Sequence, residues 1–238
     1  MEFEGIVIRV TPFREYDAMV NVLGKDRLYS FLAPGVLKFN SKLASAVNLY
    51  SRSRFQTSKG KEGFRLRNAE LLDSYENIKS NLTSLAVADF LGEITNQFVQ
   101  SDDASDIYPF LEKALDSLND GFDPKTVALI YFAKVLNVAG FGLEVDSCQK
   151  CGQTSAIVAV SYKDGGFICE KCFDPLKHVK CSAYKLKVIR FIFKVDVDNF
   201  RKVSFEEPVV DELLKELNKF VKDVVQIELK SIKLLLKI

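Results

Sequence analysis

Histidine is almost absent from this 238-residue sequence, which contains only His178. Serine and cysteine nucleophiles are commonly activated by a neighbouring histidine, so a single one leaves little room for Ser-His or Cys-His catalysis. The sequence also lacks the G-x-x-x-x-G-K-[ST] and G-x-G-x-x-G patterns, whose glycines let a backbone approach phosphates. These absences argue against catalysis by such a nucleophile and against nucleotide binding by either loop.

Long uninterrupted hydrophobic runs are missing as well. The most apolar stretch, residues 126–143, is interrupted by Lys134 and Asn137 and predicts a buried helix, not a membrane span. The opening "MEFEGIVIRV" shows no basic segment followed by a long apolar run, so no signal peptide is visible. We therefore expect a cytoplasmic protein. Thiols stay reduced in that compartment, so paired C-x-x-C motifs indicate a metal before a disulfide.

The net charge of +1 conceals an uneven distribution. Residues 1–79 carry 13 Lys+Arg and 9 Asp+Glu, residues 80–146 carry 3 and 11, and residues 147–238 carry 17 and 12. The resulting net charges are +4, −8 and +5. Such blocks indicate separate modules with different partners.

The pattern of apolar residues changes near residue 76. Before it, about five short β-type segments separated by glycine-containing turns predict a small barrel or sandwich. After it, apolar residues recur at helical spacing, with Asp106 and Asp123 as candidate N-caps. Residues 207–238 read as one long amphipathic helix whose apolar stripe includes Val224.

Four of the five cysteines form two C-x-x-C pairs, Cys148 with Cys151 and Cys169 with Cys172. Two intervening residues let both thiolates of a pair reach one tetrahedral ion at about 2.3 Å. The 17 residues between the pairs predict a hairpin that turns at residues 164–166, which is a zinc-ribbon layout. Four thiolates close the coordination sphere, so we expect structural Zn²⁺ and not a catalytic ion.

Other uses of these cysteines fit the sequence less well. A zinc deaminase needs H-x-E before a P-C-x-x-C motif, and neither pair follows a proline. A thioredoxin-like redox site needs one C-x-x-C in a βαβ context. His178 and Cys181 lie downstream in "HVKC". Their plainer interpretation is a surface histidine and a small buried thiol; the alternative is a substitute ligand or a contact to a ligand.

Positive charge is concentrated in residues 25–67, which hold ten Lys+Arg and two Asp+Glu. Cations that follow phosphates, with aromatic rings for stacking, are how small barrels hold single-stranded nucleic acid. The alternative is a solvated strand face with the aromatic side chains in the core. The interleaved aromatic residues are Tyr29, Phe31, Tyr50, Phe55 and Phe64. The candidate nucleic-acid-binding residues are Lys38, Lys42, Arg52, Arg54, Lys59, Lys61, Arg65 and Arg67.

Three segments together resemble the RecO family of bacterial recombination mediators. They are "EGIVIRVTPFREYDAMVNVLGKDRLYSFLAPG", "NAELLDSYENI" and "VLNVAGFGLEVDSCQKCG…VSYKDGGFICEKC". The resemblance implies a multi-domain α+β protein with an N-terminal OB-fold β-barrel, a helical domain and a four-cysteine zinc-ribbon-like insertion. The expected domains are 1–75 (OB-fold), 76–146 (helical), 147–182 (zinc-binding element) and 183–238 (a C-terminal helical segment that packs with the helical domain).

The resemblance also implies a function without catalytic residues. Such a protein is not an enzyme: it binds single- and double-stranded DNA in the cytoplasm, associated with the nucleoid, and anneals complementary strands. Its expected partners are RecR and the C-terminal tail of single-strand-binding protein. Together with RecR, it helps recombinase to replace single-strand-binding protein. The loop after Gly35 is less basic than is typical of the family, with only Lys38 and Lys42. A zinc-ribbon adaptor that binds only proteins is the alternative.

Overall fold

The N-terminal region is a closed five-stranded barrel in a computed structural model that describes residues 1–60, 63–201 and 203–237. The strands are β1 (Glu2–Phe13), β2 (Asp17–Gly24), β3 (Leu28–Ala33), β4 (Arg52–Gly60) and β5 (Gly63–Asp73). Their order is β1-β2-β3-β5-β4, which confirms the predicted OB-like barrel. Gly5 lies where β1 pairs with both β2 and β4, and a Cβ there would stand 2.4 Å from Val22 Cγ1.

The barrel interior is filled by side chains that alternate along the strands, as the two-residue period of a strand requires. Val20 and Val22 of β2, Phe31 of β3 and Phe55 of β4 are buried there. The long connection between β3 and β4 contributes Val36 and Val47 to the same cluster. This connection is therefore anchored at both ends to the barrel.

Helices begin directly after the barrel. Asp123 caps the helix that begins at Pro124, as predicted, since its carboxylate accepts a hydrogen bond from the backbone N–H of Thr126 at 2.8 Å. The predicted cap at Asp106 is wrong because that helix begins two residues earlier, at Ala104, and places Asp106 inside its first turn. Among the described helices, none combines the length and apolarity needed to cross a membrane. The helices are α1 (Glu76–Lys79), α2 (Leu82–Phe98), α3 (Ala104–Asn119) and α4 (Pro124–Leu136).

The C-terminal region does not form the single long helix that was predicted. Its second helix ends in a wide turn over Val221–Val225, and Gln226 follows with a left-handed backbone at φ 61°. Val224 is therefore half exposed and does not join the buried stripe. The three helices are α5 (Ala183–Lys194), α6 (Glu207–Phe220) and α7 (Ile232–Leu235), and they share one apolar cluster with α2, α3 and α4.

Two of the four cysteines, Cys148 and Cys169, are the last residues of strands in a small sheet between α4 and α5, and Cys151 and Cys172 lie in the turns that follow those strands. The strands of this sheet are β6 (Glu144–Cys148), β7 (Ile157–Ser161) and β8 (Gly166–Cys169), in the order β6-β8-β7. The predicted hairpin is confirmed, because β7 and β8 pair antiparallel around a turn in which Gly165 has φ 87°. Val145 and Phe167 insert into the large apolar cluster, so this sheet is part of the helical body.

One side of the barrel packs against the helices. Ile6, Ile8 and Leu23 of the barrel belong to the apolar cluster of the helical body. The amide of Asn21 on β2 donates to Asn96 on α2 at 2.9 Å. Most side chains of β5 are exposed, so this strand lies outside the contact with the helices.

Candidate metal centre and nucleic-acid interface

The four thiols converge on one point. The Sγ atoms of Cys148, Cys151, Cys169 and Cys172 all lie within 4.8 Å of one another. Those of Cys151 and Cys169 are 3.6 Å apart, too far for a disulfide bond of about 2.05 Å. Four sulfurs placed tetrahedrally at about 2.3 Å from an ion would be about 3.8 Å apart. The spacing therefore fits a tetrahedral metal site.

Tight turns bring each pair together. The backbone N–H of Gly152 donates to the carbonyl of Cys148 at 2.8 Å, and Gly152 adopts φ 73°. Burial opposes ionisation of the Cys148 thiol, but nearby backbone N–H groups outweigh it and lower its pKa to about 6. Hydrogen bonding with the other thiols, Cys151 first, raises the pKa of Cys172 to about 12. A metal ion that binds to the four sulfurs would displace the protons that remain on them.

These residues suit a structural metal better than a catalytic one. All four donors are sulfur, the ligand type that zinc takes in closed structural sites. His178 and Cys181 are not part of the cluster of four among the described residues. Among the residues that the structure describes, no fifth side chain joins the four. Four cysteines thus form a centre that can hold a metal ion.

His178 joins two parts of the segment 147–182, which we call the metal element. Its side chain is fully buried, contrary to the expected surface histidine. The backbone N–H of Asp174 donates to Nδ1 at 3.0 Å, so Nε2 carries the hydrogen and donates to Asp164 Oδ2 at 3.0 Å. Lys150, inside the first cysteine pair, lies 3.6 Å from the same carboxylate. Cys181, expected to be buried, is only partly so.

The metal element is fastened to the C-terminal helices by a polar contact. The Tyr162 hydroxyl donates to Glu216 on α6 at 3.0 Å. Lys185 on α5 is 8% exposed and contacts Glu216 at 2.7 Å and Glu212 at 2.9 Å. Because breaking one partner of a buried ion pair is costly, this contact ties the position of the hairpin to the packing of α5 and α6.

Two of the predicted nucleic-acid-binding cations are engaged within the protein. Arg52 contacts Glu112 on α3 at 2.5 Å, so it faces the helical body. Arg54 contacts Glu4 at 2.8 Å and Glu70 at 2.7 Å. Both arginines lie on the same face of β4, but their charges are already matched by carboxylates.

The remaining predicted cations are more available. Lys38, Lys42, Lys59, Arg65 and Arg67 are exposed, and none forms an ion pair with a carboxylate of the described residues. Arg67 also donates to the Ser58 hydroxyl at 2.6 Å. Lys61 lies outside the described residues. The available charge is thus on the β3–β4 connection and on the β4–β5 hairpin.

Most of the aromatic side chains proposed for stacking lie in the core. Tyr29, Phe31, Tyr50 and Phe55 are buried, so that expectation is wrong for them, and only Phe64 is exposed. The error arises because strand alternation shows which residues share a face but not which face points inward. Closure of the barrel decides that.

Exposed rings occur instead at one end of the barrel. We call Phe13, Arg14, Tyr16, Lys38 and Phe39 the barrel tip; all five are exposed. Lys38 Nζ lies 5.6 Å from the centroid of the Tyr16 ring, and Arg14 Cζ lies 5.1 Å from that of Phe13. Sequence reasoning missed four of these residues, although "FREY" and "KF" sit in turn segments where apolar side chains are rarely needed for a core.

Comparison with known proteins gives matches over almost the entire chain. The family model described as "Recombination protein O N terminal" matches residues 1–75, and "Recombination protein O C terminal" matches residues 79–233. A DNA repair protein RecO from Bacillus cytotoxicus is 29% identical over 238 residues, covering 96% of this chain and 93% of the relative. One from Bacillus cereus is 27% identical over 237 residues, with the same coverages.

Proposed function

Because this chain belongs to the RecO family of DNA repair proteins, we propose that it binds single- and double-stranded DNA through its barrel and anneals complementary strands. The supporting observation is the group of exposed cations on the side of the barrel that the helices leave open, namely Lys38, Lys42, Lys59, Arg65 and Arg67. Phosphate contacts of this kind give affinity with little sequence preference and with strong salt dependence.

The two ends of the protein divide the work in this proposal. The barrel binds DNA, while the acidic helical block, net −8 over residues 80–146, repels phosphate and suits protein partners. The expected partners are RecR and the C-terminal tail of single-strand-binding protein. Together with RecR, the protein helps recombinase to replace single-strand-binding protein on the DNA. The protein works in the cytoplasm in association with the nucleoid, and it catalyses no covalent reaction.

The metal centre serves the fold in this proposal. Zn²⁺ held by Cys148, Cys151, Cys169 and Cys172 supplies folding free energy to a small sheet of three short strands. Asp164 and His178 hold the hairpin turn and the downstream chain in place. The residues of this chain do the orienting, and the ion closes the two cysteine turns onto each other.

Strand annealing tests the function directly. The full-length protein is added to complementary single strands, one of them fluorescently labelled, with and without single-strand-binding protein. We expect faster annealing in both cases and a rate that falls steeply as salt increases. Absence of both DNA binding and annealing at low salt would contradict the proposal.

A second candidate, an adaptor that binds proteins only, is favoured by one observation. Arg52 and Arg54 are neutralised by Glu112, Glu4 and Glu70 and add no free charge for DNA. An adaptor would bind its protein partner equally well after Lys38 and Lys42 are both changed to alanine, and it would show no affinity for DNA alone.

A further inference from the structure

Exposed aromatic rings and cations alternate at the barrel tip in a way that suits unpaired bases. We propose that the barrel tip is a stacking site for single-stranded DNA, in which Phe39 and Tyr16 receive base faces and Lys38 contacts the intervening phosphate. This assignment rests on the proposed DNA binding and adds to it the residues that distinguish a single strand from a duplex.

The barrel tip is an ordered surface built from two chain segments. The backbone N–H of Leu37 donates to the carbonyl of Tyr16 at 2.9 Å, and that of Gly35 donates to Asp17 Oδ1 at 2.7 Å. These two bonds join the β1–β2 turn to the connection that follows β3. The segment that carries Phe13 and Tyr16 and the segment that carries Phe39 are therefore held together before any ligand binds.

The exposure of Phe39 is not explained by a lack of core nearby. The same connection buries Val36 and Val47 in the barrel, while Phe39 is fully exposed and Phe13 and Tyr16 are 41% and 44% exposed. Leaving a phenylalanine in water forgoes the free energy that its burial would contribute. Several such rings at one end of a small barrel indicate a binding surface, because isolated exposed apolar residues are normally scattered.

Two depressions meet at Lys38. One, of about 430 Å³, is lined by Arg14, Tyr16, Pro34 and Lys38 together with Glu15 and Asp17. The other, of about 500 Å³, is apolar and is lined by Val10, Val36, Leu37, Lys38, Ala44, Val47, Asn48 and Leu49. Lys38 borders both depressions, and the Tyr16 ring borders one of them, so a phosphate at Lys38 would lie next to a ring that can receive a base.

The charges around the barrel tip favour nucleic acid over an acidic or basic protein surface. Arg14 and Lys38 belong to the tip, and Lys42 follows four residues after Lys38. Register places Arg65 opposite Leu32, and Leu32 opposite Met19, so Arg65 is about 10 Å, two strand spacings, from β2. Two acids, Glu15 and Asp17, face the same depression, and Asp17 Oδ1 accepts a hydrogen bond from the Gly35 N–H.

Stacking explains why this site would prefer single strands. Every base offers a π face, but in a duplex those faces are already stacked on each other. Loss of a stacking ring should therefore weaken single-strand binding alone, whereas loss of a cation should weaken the binding of both forms. The two kinds of contact can be separated by comparing substitutions at neighbouring positions 38 and 39.

The chain contains no tryptophan, so a tryptophan at the barrel tip reports on stacking without background. In the full-length Phe39→Trp variant, we expect saturating single-stranded oligothymidine to quench the indole fluorescence and a blunt duplex to leave it nearly unchanged. Leu176→Trp is the matched control, because Leu176 is equally exposed but lies beyond the metal centre. Its fluorescence should respond to neither DNA.

Affinity measurements complete the test. Phe39→Ala should lower the affinity for single-stranded oligothymidine roughly tenfold while affecting duplex affinity less than about twofold. Equal single-strand affinities of wild type and Phe39→Ala, or an unquenched Phe39→Trp, would overturn the stacking site while leaving DNA binding intact. A wild-type protein that binds neither DNA would overturn the proposed function, and the stacking site with it. Because Phe39 is fully exposed, both variants should unfold at the wild-type temperature.

Discussion

The metal centre and the barrel tip use their side chains in opposite ways. Four thiols of the metal centre face one another within 4.8 Å, and the surrounding contacts to Asp164, His178 and Glu216 turn inward. At the barrel tip the rings and cations face solvent and mostly contact only each other. An arrangement that satisfies its own groups stabilises a fold, whereas one that leaves them exposed is available to a ligand.

The same contrast separates two kinds of cation on the barrel. Arg52 and Arg54 form ion pairs with carboxylates of the chain, so their charge is neutralised within the protein. Lys38 and Lys42 are exposed, with no such partner among the described residues. Sequence position alone would group all four, but only the second pair resembles a phosphate-binding surface.

Removing one metal ligand should have the largest effect. We expect Cys148→Ser to lose its metal and about 4 kcal/mol of stability, the contribution of a ligand at a thousand times its Kd. For a chain of this size that lowers the melting temperature by about 8–16 °C. Metal content by mass spectrometry and calorimetry measure both changes. Cys181→Ser is the control, since Cys181 lies outside the cluster and should keep its metal.

If Cys148→Ser kept its metal-free fold and its melting temperature but lost DNA affinity, the metal centre would be a functional site. The contrast with the barrel tip would then fail.

Breaking the Arg52–Glu112 pair should have an intermediate effect. We expect Arg52→Met to cost about 1–3 kcal/mol, because it leaves the partly buried carboxylate of Glu112 without its partner. Lys42→Met is the control and should change stability by less than about 0.5 kcal/mol. Urea unfolding measures both. DNA affinity should show the opposite order, with Lys42→Met weakening binding more than Arg52→Met. If Arg52→Met weakened the salt dependence of binding and Lys42→Met did not, the paired arginine would be the DNA contact.

The smallest effect is expected at Glu4, which contacts both Arg54 and Lys25. Hydrogen bonds from Arg54, then Lys25, lower the pKa of Glu4 below its usual 4.5. Its stabilisation is therefore present above pH 4.5 and is lost as the pH falls through the lowered value. Glu4→Gln should be less stable at pH 7 by no more than about 1 kcal/mol, since the pair is partly solvated.

Urea unfolding of wild type and Glu4→Gln at each pH tests this, because any acid effect on the metal centre is common to both proteins. A stability difference that persists unchanged at pH 3 would contradict the ionic origin of the effect.

Local patterns in the sequence predicted much of this structure. The spacing of Cys148, Cys151, Cys169 and Cys172 predicted their convergence, because two turns and one hairpin suffice to bring them together. The strands of the N-terminal region and the cap at Asp123 followed from similarly short patterns. Each depends on residues close in the chain.

What the sequence could not predict depends on distant residues. Arg52 and Glu112 are 60 positions apart, so their pairing follows only from how the barrel sits on α3. Tyr29 and Phe55 turn inward and Phe13 outward because the barrel closes with a particular register and carries a bulge between Val7 and Arg9. The long C-terminal helix was expected because periodicity continues past Val221, where the backbone does not.

The salt dependence of single-strand binding most directly tests whether the exposed cations form the DNA-binding surface. Affinity for single-stranded oligothymidine is measured at several salt concentrations for wild type and for the double variant Lys38→Ala, Lys42→Ala. The slope of log affinity against log salt should fall by about 1.4, which is about 0.7 for each lost phosphate contact on a single strand. An unchanged slope and affinity would contradict this assignment.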